Sequence, residues 1–201
     1  MKMEKIWHPL ERLADGAVML EWEQGLGKEL DQVRRYLRLS NDPAKTFPCT
    51  NPLGCGFPHR VEKYGKGRWV AVCDEEDNCP GILLDGKDLL VYEVDRKALC
   101  AGIAHALKLE PPAARKSTHA RAELAGTHGP GRHEVYLMFP ADHARMAREV
   151  ERLFGPHPAP FILMTPSGEH CTAEVESAAT AIPTVVTAAS ASGVCWWVGV
   201  L

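Results

Sequence analysis

Cys49-Thr50-Asn51-Pro52-Leu53-Gly54-Cys55 and, after seventeen intervening residues, Cys73-Asp74-Glu75-Glu76-Asp77-Asn78-Cys79-Pro80 carry the strongest pattern in the chain. Two cysteine pairs with the same five-residue gap flank a segment that reads as a β-hairpin. Tyr64-Gly65-Lys66-Gly67 has turn chemistry, and Arg68-Trp69-Val70-Ala71-Val72 reads as the strand that follows it. A zinc ion takes four soft ligands in a tetrahedron, and two loops that each supply two thiolates deliver that set. Cys49, Cys55, Cys73 and Cys79 are therefore the expected ligands of one Zn2+, with His59 as a substitute donor. Such a site is structural, because four thiolates leave no position open for water or substrate. A segment this short holds too little core to fold alone, so the metal would supply much of its folding free energy.

This arrangement resembles the zinc-ribbon superfamily over residues 47–94. Gly56 follows Cys55 and a strand leads into Cys73, as in that pattern, while the gap in both cysteine loops is longer than the family's usual two or four residues. Between the cysteine pairs lie His59, Arg60, Lys63, Tyr64, Lys66, Arg68 and Trp69 against one acid, Glu62. A basic hairpin with aromatics suits a phosphate backbone and a stacked base, so Arg60, Lys63, Tyr64, Lys66 and Arg68 are the expected contacts for nucleic acid or a protein partner. Against this, Trp69 would equally pack in the ribbon's own core. The second cysteine loop also carries Asp74, Glu75, Glu76 and Asp77, which repel phosphate and suit a basic protein surface.

Composition bounds the rest. The chain has 201 residues, 45% hydrophobic and 24% charged, which is an ordinary globular balance and excludes a disordered or collagen-like chain. With 23 Lys and Arg against 26 Asp and Glu, only a local basic patch could attract an anionic polymer. No apolar run approaches the roughly 20 residues of a membrane span, and the start, Met1-Lys2-Met3-Glu4-Lys5-Ile6-Trp7-His8, lacks the apolar core of a signal peptide. A cytoplasmic protein with no membrane contact is expected. Seven cysteines in a reducing compartment read as metal ligands rather than disulfides.

Three segments follow. Over 1–46, Leu26, Leu30, Val33 and Leu37 recur at helical spacing, and Leu10, Leu13, Ala17 and Leu20 suggest an earlier helix, with Gly25 and Gly27 between the two; a helical hairpin is expected. The ribbon occupies 47–94, with Leu89–Val94 as a further strand. Over 95–201, Asp95 reads as a cap before Leu99, Ile103 and Leu107, and Pro111-Pro112 stops that helix. Residues 113–133 read as a polar loop. Strands over 134–139, 161–165 and 183–187 alternate with helices over 142–154 and 172–181, and 194–201 is apolar and β-prone. The fold class is thus mixed α+β and α/β: N-terminal helices, a four-cysteine ribbon, then a small β-α-β-α-β domain with a mostly parallel sheet.

The function expected from these features is a non-catalytic zinc-ribbon adaptor or regulator. The alternative is a small α/β enzyme. Its site would lie after the 161–165 strand at Thr165, Ser167, His170 and Cys171, with Arg115, Lys116, Arg121 and Arg132 holding an anionic substrate. No nucleophile elbow or phosphate-binding glycine loop accompanies that loop. His119, His128, His133 and His143 fit no compact metal pattern, and Cys100 and Cys195 read as core. The apolar end Trp196–Leu201 reads as a buried last strand or as a surface for a homo-oligomer or larger complex.

Overall fold

The computed structural model describes residues 4–51, 55–74, 79–112, 122–139, 148, 161–165, 185–189 and 195–199. The chain divides into two compact units. One is Leu13–Val94; the other joins Met1–Arg12, which contains helix α1 (Glu4–Arg12), to Asp95–Leu201. Among the described residues no helix is long and apolar enough to cross a membrane.

In the Leu13–Val94 unit, strand β1 (Ala17–Val18) runs into helix α2 (Met19–Leu26). The Glu21 carboxylate accepts the Val18 backbone N–H at 3.2 Å, satisfying one of the donors left open at the helix start. Gly27, at φ +52°, ends the helix in a conformation that side chains disfavour. A single 3-10 turn leads to the one-turn helix α3 (Leu30–Val33), and a second leads to strand β2 (Leu37–Leu39). Leu26, Leu30 and Val33 are buried, as the helical spacing requires. Trp22 is fully buried, and its indole N–H donates to the Tyr92 carbonyl at 3.0 Å.

The expected helical hairpin is therefore only partly realised. Ala17–Val18 and Leu37–Leu39 flank strand β7 (Val91–Val94) in a three-stranded antiparallel sheet of order β1-β7-β2, with Ala17 opposite Tyr92 and Leu37 opposite Val94. Helical spacing registers only local neighbours. Pairing with a strand more than fifty residues away overrides it here.

The same unit holds a meander of strands β3 (Thr46–Phe47), β4 (His59–Lys63), β5 (Trp69–Val72) and β6 (Ile82–Leu84), all antiparallel and adjacent in chain order. Side chains alternate across a strand. Phe47, His59, Val61, Ala71 and Leu84 consequently share one face, because Phe47 pairs with His59, Val61 with Ala71 and Trp69 with Leu84. Val18, Phe47, Ala71, Leu84 and Leu89 form the buried centre on that face, with Leu20, Val61, Trp69, Ile82 and Val91 packed around it. The opposite face carries Arg60, Glu62, Val70 and the exposed Leu83.

In the second unit, Asp95 caps helix α4 (Arg96–Ala106) by accepting the Ala98 N–H at 2.9 Å. Strands β8 (Ala122–His128), β9 (His133–Met138), β10 (Phe161–Thr165), β11 (Val185–Ala189) and β12 (Cys195–Gly199) form one sheet of order β11-β12-β10-β9-β8. Here the expected β-α-β-α-β domain with a mostly parallel sheet is overturned. β9 and β10 are parallel, but every other pair in this sheet is antiparallel. Two features account for it. Ala122–His128, expected within a loop, is a strand that pairs back on β9 across a Gly129–Arg132 turn, closed by the Arg132 N–H on the Gly129 carbonyl at 3.0 Å. β11 and β12 are separated by too few residues for a helical crossover, so they pair antiparallel, and β12 lies between β11 and β10. The helices expected over 142–154 and 172–181 lie outside the described residues, apart from a helical Arg148.

Gly126 shows why β8 escapes a propensity reading. A Cβ there would lie 2.4 Å from the Glu110 carbonyl oxygen and 2.9 Å from the Leu109 Cβ. Glycine is thus needed where the Glu110–Thr127 bridge crosses the strand, next to the register shift between Leu124 and Gly126.

Candidate metal centre

The meander sets the site by its register. β4 begins at His59 and β5 ends at Val72, so the strand pairing, whose last pair is Arg60–Val72, delivers His59 and Cys73 to the same end of the meander. Cys49 follows β3 by two residues, Cys55 lies in the loop before β4, and Cys79 lies between β5 and β6. All these donors gather at one end of the meander. The hairpin tip, residues 64–68, is at the other end.

The ligand atoms of Cys49, Cys55, His59 and Cys79 all lie within 4.8 Å of one another and could hold a metal ion. Cys49 Sγ is 3.8 Å from Cys79 Sγ, and His59 Nε2 is 3.3 Å from both Cys55 Sγ and Cys79 Sγ. Zinc–sulfur bonds of about 2.3 Å and zinc–nitrogen bonds of about 2.0 Å in a tetrahedron give sulfur–sulfur edges of about 3.8 Å and sulfur–nitrogen edges of about 3.5 Å. The three observed edges are close to those of that polyhedron, and the remaining donor pairs lie within 4.8 Å. His59 is fully buried, and its Nδ1 has no hydrogen-bond partner among the described residues, so its polar contacts there are the two sulfurs on Nε2. Cys73 lies outside the mutually close four, with its Sγ 3.8 Å from that of Cys55.

All four cysteines are free thiols and half-buried. Partial burial, reinforced by the sulfurs of Cys55 and Cys49, pushes the Cys79 thiol up to about 12. Cys49 is drawn down instead, by the backbone groups of Cys55 and Asn51. Crowded sulfurs resist ionising together, and a dication among them reverses that cost.

No family model matches the chain, and no curated protein or solved structure matches it either.

The expected partner-binding residues fall into two groups. The Arg60 guanidinium is engaged by Asp74, whose two carboxylate oxygens accept at 2.9 Å, and by Glu62; Asp74 is in turn held below the ordinary carboxylate range by its hydrogen bonds from Arg60. Lys63, Tyr64, Lys66 and Arg68 crowd the tip, all exposed, and the three cations make no ion pair among the described residues. The tip is shaped by Gly65 and Gly67, both at positive φ, and by the Tyr64 N–H on the Arg68 carbonyl at 2.8 Å.

Of the alternative catalytic loop, Thr165 is a buried residue at the end of β10, and Ser167, His170 and Cys171 lie outside the described residues. Arg115, Lys116 and Arg121 also lie outside them, while Arg132 pairs with Glu110 at 2.8 Å. His128 and His133 face each other across β8 and β9; His119 and His143 are outside the described residues. Cys100 is buried, with its thiol pushed up to about 12 by burial and by Glu123. Cys195, Trp196 and Trp197 belong to β12, whose backbone pairs on both sides.

Proposed function

We propose that residues 47–94 form a ribbon-like recognition module stapled by a structural zinc ion, and that the chain is a non-catalytic adaptor or regulator. The observation that carries this reading is the match between the sulfur and nitrogen spacings at one end of the meander and the edges of a zinc tetrahedron. Bound there, zinc would supply folding free energy and no chemistry, since Cys49, Cys55, Cys79 and His59 fill four positions. Free thiols at this density suit a reducing, cytoplasmic setting.

The partner surface in this reading is the opposite, tip end of the hairpin. Lys63, Lys66 and Arg68 are unneutralised there among the described residues, and Tyr64, 62% exposed, offers a ring face beside them. Three cations and an aromatic within six residues favour a nucleic-acid strand over a protein. The direct test is binding of single-stranded oligonucleotides by the zinc-loaded chain across a salt series. Reversing Lys63, Lys66 and Arg68 together should abolish binding and leave the circular dichroism unchanged. With single substitutions to Ala, each lost phosphate contact should reduce the salt slope by about 0.7. Unchanged affinity in the triple variant would remove nucleic acid from the reading and leave a protein partner.

A further inference from the structure

Among the described residues, five donors gather for four positions. Resting on the metal reading above, we infer that His59 is the fourth ligand, and that Cys73 is kept as an unligated thiol that oxidises with Cys55 to release the metal. His59 at the head of β4 and Cys73 just after β5 reach the same end of the meander from neighbouring strands, one step beyond the Arg60–Val72 pair. The fully buried His59 ring, with Nε2 3.3 Å from two sulfurs, takes the fourth corner. That leaves Cys73 at 3.8 Å from a sulfur that is itself a ligand.

The distance is what makes this a switch. Cys49 and Cys79 are equally close to each other, but both belong to the mutually close four, so both sulfurs are committed when the site is full. Among the described cysteines, Cys73 has a ligand sulfur as neighbour without being in that set. It is half-buried, so a small oxidant reaches it. The Cys55 and Cys73 sulfurs need to close from 3.8 Å to the roughly 2.05 Å of a disulfide. With hydrogen peroxide as oxidant, the Cys73 thiol and the Cys55 thiolate give up two electrons, the S–S bond forms and the O–O bond breaks. One oxygen leaves as water with the Cys73 proton, the other as hydroxide. Two thiolates and one imidazole remain, and a tetrahedral site that has lost a thiolate holds its metal weakly.

The test uses the full chain loaded with Zn2+ and treated with hydrogen peroxide. Zinc release is read by a chromogenic chelator, and cross-links are read by peptide mass spectrometry. The wild-type chain should release its zinc as a Cys55–Cys73 cross-link appears. Cys73→Ser should bind one zinc per chain and lose the peroxide-driven release, whereas Cys49→Ser should fail to load. If Cys73→Ser purifies without zinc, Cys73 is a ligand and the inference falls while the metal reading stands. If Cys73→Ser loads but releases zinc as the wild type does, the oxidation runs through other sulfurs and the inference falls. A wild-type chain that never holds zinc overturns both.

Discussion

Replacing His59 by Ala separates packing from ligation. The imidazole is fully buried between the Phe47 position of β3 and the sulfurs of Cys55 and Cys79. In the metal-free chain, truncating a buried side chain of this size costs about 2–5 kcal/mol in lost contacts and cavity. The same truncation removes a buried Nδ1 that has no partner among the described residues, and an orphaned polar atom costs the native state about 1–3 kcal/mol. These effects oppose, so the net loss without metal should be only about 1–2 kcal/mol. With zinc in excess, the variant also loses a ligand. A dissociation constant weakened by even a hundredfold subtracts a further ~2.7 kcal/mol of linked stability. The readout is amide exchange of β4 and β5, which reports the opening free energy of the meander itself rather than of the whole chain. The difference between wild type and variant should be small in chelator and should reach about 4 kcal/mol in zinc. Equal differences in the two conditions would show that His59 is packing and not a ligand.

Stability of the meander should depend on pH with opposite sign in the two states. The Cys79 thiol is raised from 9.0 to about 12 in the folded chain, so without metal its contribution is complete below pH 9 and is lost as pH rises toward 12. With zinc the ligands bind as thiolates, so stability should instead fall as pH drops and protons displace the metal; chemical denaturation at several pH values with and without chelator checks both signs. Trp22→Phe leaves the Tyr92 carbonyl without its indole donor and should cost about 1–3 kcal/mol in urea denaturation, with metal stoichiometry unchanged. Gly126→Ala drives a methyl group against the Glu110 carbonyl and should destabilise the β8–β9 sheet by about 1–3 kcal/mol, seen as faster amide exchange there with the meander unaffected.

What could be read from the sequence follows the range of the forces involved. The Asp95 cap, the Tyr64–Gly67 turn and the Trp69–Val72 strand depend on neighbours a few residues away, and each is found where local chemistry puts it. The cysteine spacing brought Cys49, Cys55 and Cys79 together in prospect because two loops on one hairpin end have few other places to go. His59 carries the weaker signal. Its signal is its position four residues after Cys55 at the head of a strand, and only pairing with Phe47 turns its ring inward to the sulfurs. The sheets depend on distant partners even more strongly. Ala17–Val18 is a strand because Tyr92 and Val91 lie beside it, and β12 inserts beside β10 because a short connection returns the chain antiparallel. Neither partner is visible in a window of ten residues. Ala122–His128, with its alanines and Gly126, has little intrinsic strand preference and is held by β9 and by the Glu110 bridge.

The chain should carry one zinc ion at the cysteine end of the meander. Elemental analysis of the full chain, purified under reducing conditions without chelator, tests it most directly, with Cys49→Ser and Cys79→Ser measured in parallel. One zinc per wild-type chain and none in either variant is the expected result, with protection of the β4 and β5 amides reduced in both. A wild-type chain free of metal, with stable β4 and β5 amides and every thiol reactive, would contradict it.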